Sequence, residues 1–131
     1  QGVALLATDA LAQGACPAPI WFVETEFWAP LPNPNVLLET PPELLADQMT
    51  ALTFHVGEVS RNPYHLSLPA WMADNVRRGS ELVGGQGGVA ATFPFGVLYR
   101  LRRWNGRGWE DSLPPGRILS AQDRPDLPFR I

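Results

Sequence analysis

Prolines and glycines set the length of every element this chain can form. There are 14 prolines and 12 glycines in 131 residues, about a fifth of the chain against a usual share of roughly 12%. Proline interrupts helix and strand hydrogen bonding alike, and glycine raises the entropy lost on ordering. Regular segments must therefore be short and lie between the breaks, with much of the backbone in turns. Length and apolar content (45% hydrophobic) still suffice for one domain with a real core. Residues 1–131 thus read as a single domain.

Between the breaks, hydrophobic spacing names the elements. Val3, Leu6 and Ala10 share a helical face ahead of Gly14, which predicts a helix over 2–13. Ile20 to Val23 are β-branched and aromatic enough for a buried strand, with Glu24 and Glu26 emerging on one side of it. Pro30, Pro32 and Pro34 then break the pairing before a second strand, 36–39. Thr40-Pro41-Pro42-Glu43 reads as a capping box, with Thr40 at the N-cap and Glu43 at N3. Leu45, Met49, Leu52 and Val56 form the apolar stripe of the helix behind it, predicted over 41–57. A second stripe, Met72, Val76, Gly79 and Val83, predicts a helix over 68–83. After the GGQGG connection, residues 89–95 and 96–103 read as extended, and Asn105-Gly106 as the reversal of a hairpin over 98–109. The proline-rich stretch from Leu113 reads as an irregular tail anchored by Ile118, Leu119 and Phe129.

Charge is distributed unevenly. All ten basic residues are arginines, beginning at Arg61, whereas the first sixty residues hold seven acids and no base. Either the two parts fold against each other or the acidic part meets a basic surface elsewhere; a sharper reading lines a cation or polar-ligand site near 24–58 with carboxylates. Arg100, Arg102, Arg103 and Arg107, interleaved with Tyr99, Trp104 and Trp109, raise a nucleic-acid hypothesis. A net charge of −3 and a pI near 5.3 argue against it. Cys16 is the lone cysteine, so no internal disulfide exists and a reducing, cytoplasmic setting is expected. No apolar run reaches the roughly 18 residues of a membrane span. His55 and Glu58 share a helix edge by spacing, but two residues do not complete a zinc site, which takes three or four ligands.

Several segments, in order, resemble the C-terminal part of the LmbE/PIG-L family of zinc-dependent N-acetylglucosamine de-N-acetylases. They are the apolar helix from Gln1 to Ala12, the Glu-containing aromatic run from Val23 to Glu39, the Ala51-Leu52-Thr53-Phe54-His55 pattern, Arg78-Gly79, and the Gly87 to Phe93 segment. The resemblance covers residues 1–95 and leaves 96–131 as a hairpin and irregular C-terminal extension. It implies an α/β fold, the C-terminal portion of a Rossmann-like doubly wound domain. It also implies an N-deacetylase acting on an N-acetylated sugar or similar small molecule.

The family's metal-binding motifs are absent from this chain, so no metal ligand and no catalytic residue carries over. Zinc is expected only in a complete protein, held by upstream residues or by another chain that brings the N-terminal half of the fold. Glu24, Phe27, Trp28, Asn35 and His55 are the residues the resemblance places nearest the substrate. An incomplete sheet would make the chain oligomerise or require that partner. The competing expectations are a non-catalytic scaffold or binding domain derived from the family, favoured by Gly57-Glu58 and by Ala91 in place of a glutamate, and an arginine-aromatic nucleic-acid-binding module.

Overall fold

The computed structural model describes residues 2–14, 18–26, 29–110 and 116–124. In chain order they form α1 (Gly2–Gln13), β1 (Ile20–Thr25), β2 (Val36–Glu39), α2 (Pro42–Thr53), α3 (Val56–Arg61), α4 (Tyr64–Leu82), β3 (Gly96–Trp104) and β4 (Arg117–Leu119). The result is a mixed α/β domain around one four-stranded sheet of order β1-β3-β2-β4. β3 is antiparallel to both neighbours, and β2 pairs in parallel with β4. β1 and β2 therefore run the same way on either side of β3. The segment 89–95, read from sequence as extended, makes no strand; its Phe93 turns inward and joins the core.

Register assigns the faces. Phe22, Glu24, Leu37, Leu98, Arg100 and Ile118 point to one side, while Trp21, Val23, Val36, Leu38, Tyr99 and Leu101 point to the other. α4 covers the first side with Val76, Gly79 and Val83 over Leu37 and Leu98, much as the apolar stripe predicts. Gly79 is what allows this approach: a Cβ there would come within 2.9 Å of Leu98 Cδ2 and 3.0 Å of Leu37 Cδ2. Gly85 and Gly87, both at positive φ, make the turn that follows. On the second side Val36, Leu101 and Leu119 pack with Trp21 and Tyr99, yet Val23 and Leu38 stay open to solvent beside a cleft of about 570 Å³. α1 matches its predicted bounds, with the Gly14 N–H donating to the Ala10 carbonyl, but exposes Val3, Leu5 and Leu6.

Helix boundaries depart from the sequence reading for local reasons. Thr40 does not cap α2: its N–H donates to the Phe95 carbonyl at 2.9 Å, adding a rung beyond the β2–β3 ladder, and Pro41 becomes the N-cap with no side-chain bond. α2 stops at Thr53 rather than 57. The chain turns at His55 (φ −85, ψ 61), whose carbonyl starts α3 by accepting from Glu58 and Val59. The α2 stripe thus ends at Leu52, and Val56 is exposed. α4 begins at Tyr64, behind Pro63, and carries Pro69 inside it. The hairpin is partial, because beyond β3 the described residues form only the Trp104–Trp109 bridge. Ile118 and Leu119 anchor the later stretch through β4, and Phe129 lies outside the described residues.

The charge asymmetry resolves within the fold. Glu24 of β1 faces Arg102 at 3.2 Å and Arg100 at 3.9 Å across the β1–β3 ladder, and Glu26 meets Arg78. Sheet pairing brings Glu24 to its arginines, and the packing of α4 brings Arg78 to Glu26.

Candidate functional site

β1 ends at Thr25, and the next residue starts a buried polar network. The Glu26 side chain is 2% exposed and takes a bidentate pair from Arg78, Nη1 to Oε1 at 3.0 Å and Nη2 to Oε2 at 2.9 Å. Oε1 also accepts the Leu31 N–H at 2.8 Å, which ties the loop after β1 to α4. Arg78 Nη2 donates to Asn75 Oδ1 at 2.6 Å, and Asn75 Nδ2 donates to the Gly96 carbonyl at 3.2 Å. Loop, helix and the first residue of β3 are locked together by one guanidinium and one amide. Hydrogen bonding to Glu26, more than any other influence, raises the Arg78 pKa above its ordinary value. Asp74, one turn earlier on α4, accepts Arg77 Nε and Arg78 Nε, each at 2.9 Å. These bonds, Arg77's first, hold its carboxyl below the usual value.

A cleft of about 750 Å³ opens beside this network. Its floor is a single stripe of α4: Tyr64, Leu68, Trp71, Asp74 and Arg78 follow one another at three- and four-residue steps, with Ser67 beside Leu68. Leu52 of α2 and Ala29 and Pro30 of the post-β1 loop supply the walls. The stripe grades from aromatic and aliphatic at the N-terminal end of α4 to charged at Asp74 and Arg78. Such a cleft, mostly apolar with a few convergent polar groups, is the usual form of a small-molecule site.

Of the residues expected from sequence, Glu24, Asn35 and His55 do not line it. Glu24 is held by Arg102 and Arg100 on the sheet. Asn35 is buried and acts as a surrogate strand rung: its Oδ1 accepts the Leu101 N–H at 2.7 Å and its Nδ2 donates to the Leu101 carbonyl at 2.9 Å. His55 is exposed at the N-cap of α3 and lines neither cleft. Phe27 and Trp28 lie outside the described residues. The network and the groove were overlooked because Glu26 and Arg78 are 52 residues apart and meet only in three dimensions. One signal was present: Trp71, Asp74 and Arg78 mark a second periodic stripe on the helix whose first stripe faces the sheet.

The arginine-aromatic segment is engaged inside the fold. Arg102 lies 3.9 Å over the Trp109 ring, Arg103 bonds Glu110 at 2.9 Å, and Trp109 packs edge-on against Phe22 and Trp104. Among the described residues no three His, Cys, Asp or Glu side chains gather to hold a metal ion. Glu58 gives its carboxylate to Arg61 rather than joining His55, so the residues present do not fit a zinc site. No helix among the described residues is long and apolar enough to cross a membrane. Compared with known proteins, the chain matches no known family, no curated protein and no solved structure.

Proposed function

We propose that this chain is the substrate-holding portion of a zinc-dependent N-deacetylase acting on an N-acetylated sugar or similar small molecule, with the metal centre carried by upstream residues or by another chain. The observation that carries the reading is the position of the larger cleft. It lies just past the C-terminal end of β1, bounded by the loop that follows and by α2 and α4, and a mostly apolar cleft with a few convergent polar groups is the usual form of a small-molecule site. The Glu26–Arg78 pair gives that cleft a rigid polar end, as a site that must orient a substrate requires.

Two further features support an incomplete sheet, although its central strand β3 runs antiparallel to both neighbours, unlike the parallel sheet of a doubly wound domain. Among the described residues β1 is an edge strand, of sequence IWFVET, whose outer backbone could pair with a further strand. The face carrying Val23 and Leu38 retains solvent-open apolar surface. A partner segment adding strands beyond β1 and a helix layer over that face would complete a larger α/β domain; without it, self-association through the same surfaces is the expected substitute. The lone cysteine suits a cytoplasmic setting.

Within this scheme the chain's own residues bind and orient. Arg78 holds Glu26 and the loop over the cleft, and Trp71 and Leu68 offer a surface for the apolar part of a substrate. The test is acetate release from N-acetylated sugars by this chain combined with the segment that brings the metal ligands. Zinc-dependent acetate release that falls when Trp71 is replaced is the expected result. Binding in the cleft with no acetate from any acetylated sugar would instead assign a non-catalytic binding domain.

A further inference from the structure

The larger cleft is sorted along its length. At one end Asp74 presents a carboxylate whose side chain is 47% exposed; at the other lie Leu68, Trp71, Tyr64 and Leu52, with Ser67 beside them bonded to the Tyr64 carbonyl. Trp71 is 38% exposed, a large apolar surface left in water beside a groove that would cover it.

The charged end excludes simple ions. Arg78 spends Nε on Asp74, Nη1 on Glu26 and Nη2 on Glu26 and Asn75, so an anion would find its guanidinium occupied and two carboxylates nearby. A cation would find Glu26 buried and already paired with Arg78, and Asp74 already neutralised by Arg77 and Arg78. What Asp74 keeps is acceptor capacity, since each carboxylate oxygen accepts about two hydrogen bonds. Hydroxyl groups match that capacity without bringing charge. A bare sugar, however, carries hydroxyls around its whole ring, and those laid on Leu52, Leu68 and Pro30 would lose water and gain no partner.

We infer that the groove holds an amphiphilic glycoside, with its hydroxyl-bearing sugar at Asp74 and an apolar aglycone along Leu68, Trp71 and Tyr64. The inference deepens the reading above and rests on it only in naming the sugar as an acetamido sugar. The ligand's polarity must run along α4, head toward Arg78 and tail toward Tyr64, because the stripe's polarity does.

Calorimetric titration of the full chain with phenyl N-acetyl-β-glucosaminide, free N-acetylglucosamine and phenol tests this directly. The glycoside is expected to bind at least about tenfold more tightly than the free sugar, the factor that ~1.4 kcal/mol represents. Trp71→Ala should erase that advantage and Trp71→Phe should keep most of it. Asp74→Asn should weaken the glycoside and leave phenol unchanged. Far-UV circular dichroism of each variant identifies any that fails to fold, and the Trp71→Phe arm then carries the comparison. Equal affinity for sugar and glycoside, no binding of any probe, or full binding by a folded Trp71→Ala variant overturns the inference. Failure of the deacetylase reading looks different: the glycoside binds as expected, yet the complete protein releases no acetate. Turnover of sugar and glycoside with equal KM overturns the groove assignment and leaves that reading standing.

Discussion

Removing Arg78 should cost more stability than any other single polar truncation in this domain. In Arg78→Ala the Glu26 carboxylate, 2% exposed, keeps only the Leu31 N–H as a partner among the described residues. Asn75 Oδ1, on a fully buried side chain, loses the guanidinium that donates to it. Stripping one partner from a buried ion pair typically costs about 3–5 kcal/mol, because the remaining charge is left uncompensated. The orphaned amide oxygen would add about 1–3 kcal/mol if it acted alone, but both losses share one network and will not sum. Arg78 is 18% exposed, so water reaches part of the gap and the lower half of the range, about 3–4 kcal/mol, is expected. For a domain of this size that corresponds to a drop in Tm of roughly 10–15 °C. Urea unfolding followed in parallel by circular dichroism and tryptophan fluorescence measures it, coincidence of the two signals justifying a two-state fit. The decisive arm is the double variant Arg78→Ala/Glu26→Gln, which removes the stranded charge and should recover more than about 1 kcal/mol of the loss. A single-variant loss below about 1 kcal/mol, or a second substitution that only adds damage, would refute the view that this pair is desolvated and mutually dependent.

Three other outcomes follow from named contacts. Gly79→Ala should destabilise by about 1–2 kcal/mol in thermal unfolding: overpacking against Leu37 and Leu98 outweighs the ~1 kcal/mol by which alanine favours a helix, and a gain in Tm would contradict the close approach of α4. Asn35→Ala should cost about 1–3 kcal/mol and speed amide exchange at Leu101, whose N–H and carbonyl both depend on the Asn35 side chain; unchanged exchange there would deny it the role of a strand rung. Asp74 has a folded-state pKa depressed chiefly by its hydrogen bond from Arg77, with Arg78 contributing, so its stabilisation is present above its unfolded value near pH 4 and is lost as pH falls through the lower folded value. Asp74→Asn should accordingly flatten the acid limb of the stability–pH curve and leave its shape near pH 7 unaltered, and a change confined to neutral pH would contradict the assignment.

What could be read from the amino-acid order was local. Apolar spacing and a terminating glycine placed α1 at 2–13, β-branched and aromatic runs placed β1 and β2, and the Met72, Val76, Gly79, Val83 stripe marked the face of α4 that meets the sheet. Each of these depends on neighbours within one or two turns, where periodicity carries the information. The imbalance between acidic and arginine-rich parts likewise foreshadowed their pairing, although not which residues would meet.

The rest was decided by contacts distant in sequence. Thr40 has the side chain of a helix cap, but its backbone was claimed by Phe95 across the sheet, and a ladder hydrogen bond in a buried setting prevails over a local capping preference. Asn35 looked like a ligand-facing amide in a proline-rich loop until β3 arrived beside it and used both ends of the group. Glu26 and Arg78 are one strand-end acid and one helix arginine until α4 packs on β2 and β3, which removes both from water and makes each the other's necessary partner. The groove along α4 exists for the same reason: with one stripe of the helix committed to the sheet, the stripe from Tyr64 to Arg78 faces α2 and the loop after β1 across open space. Hydrophobic period along the chain determined which residues could be helix or strand, whereas the cost of burying unpaired charge and amide groups, felt only once the layers closed, determined which of them became the site.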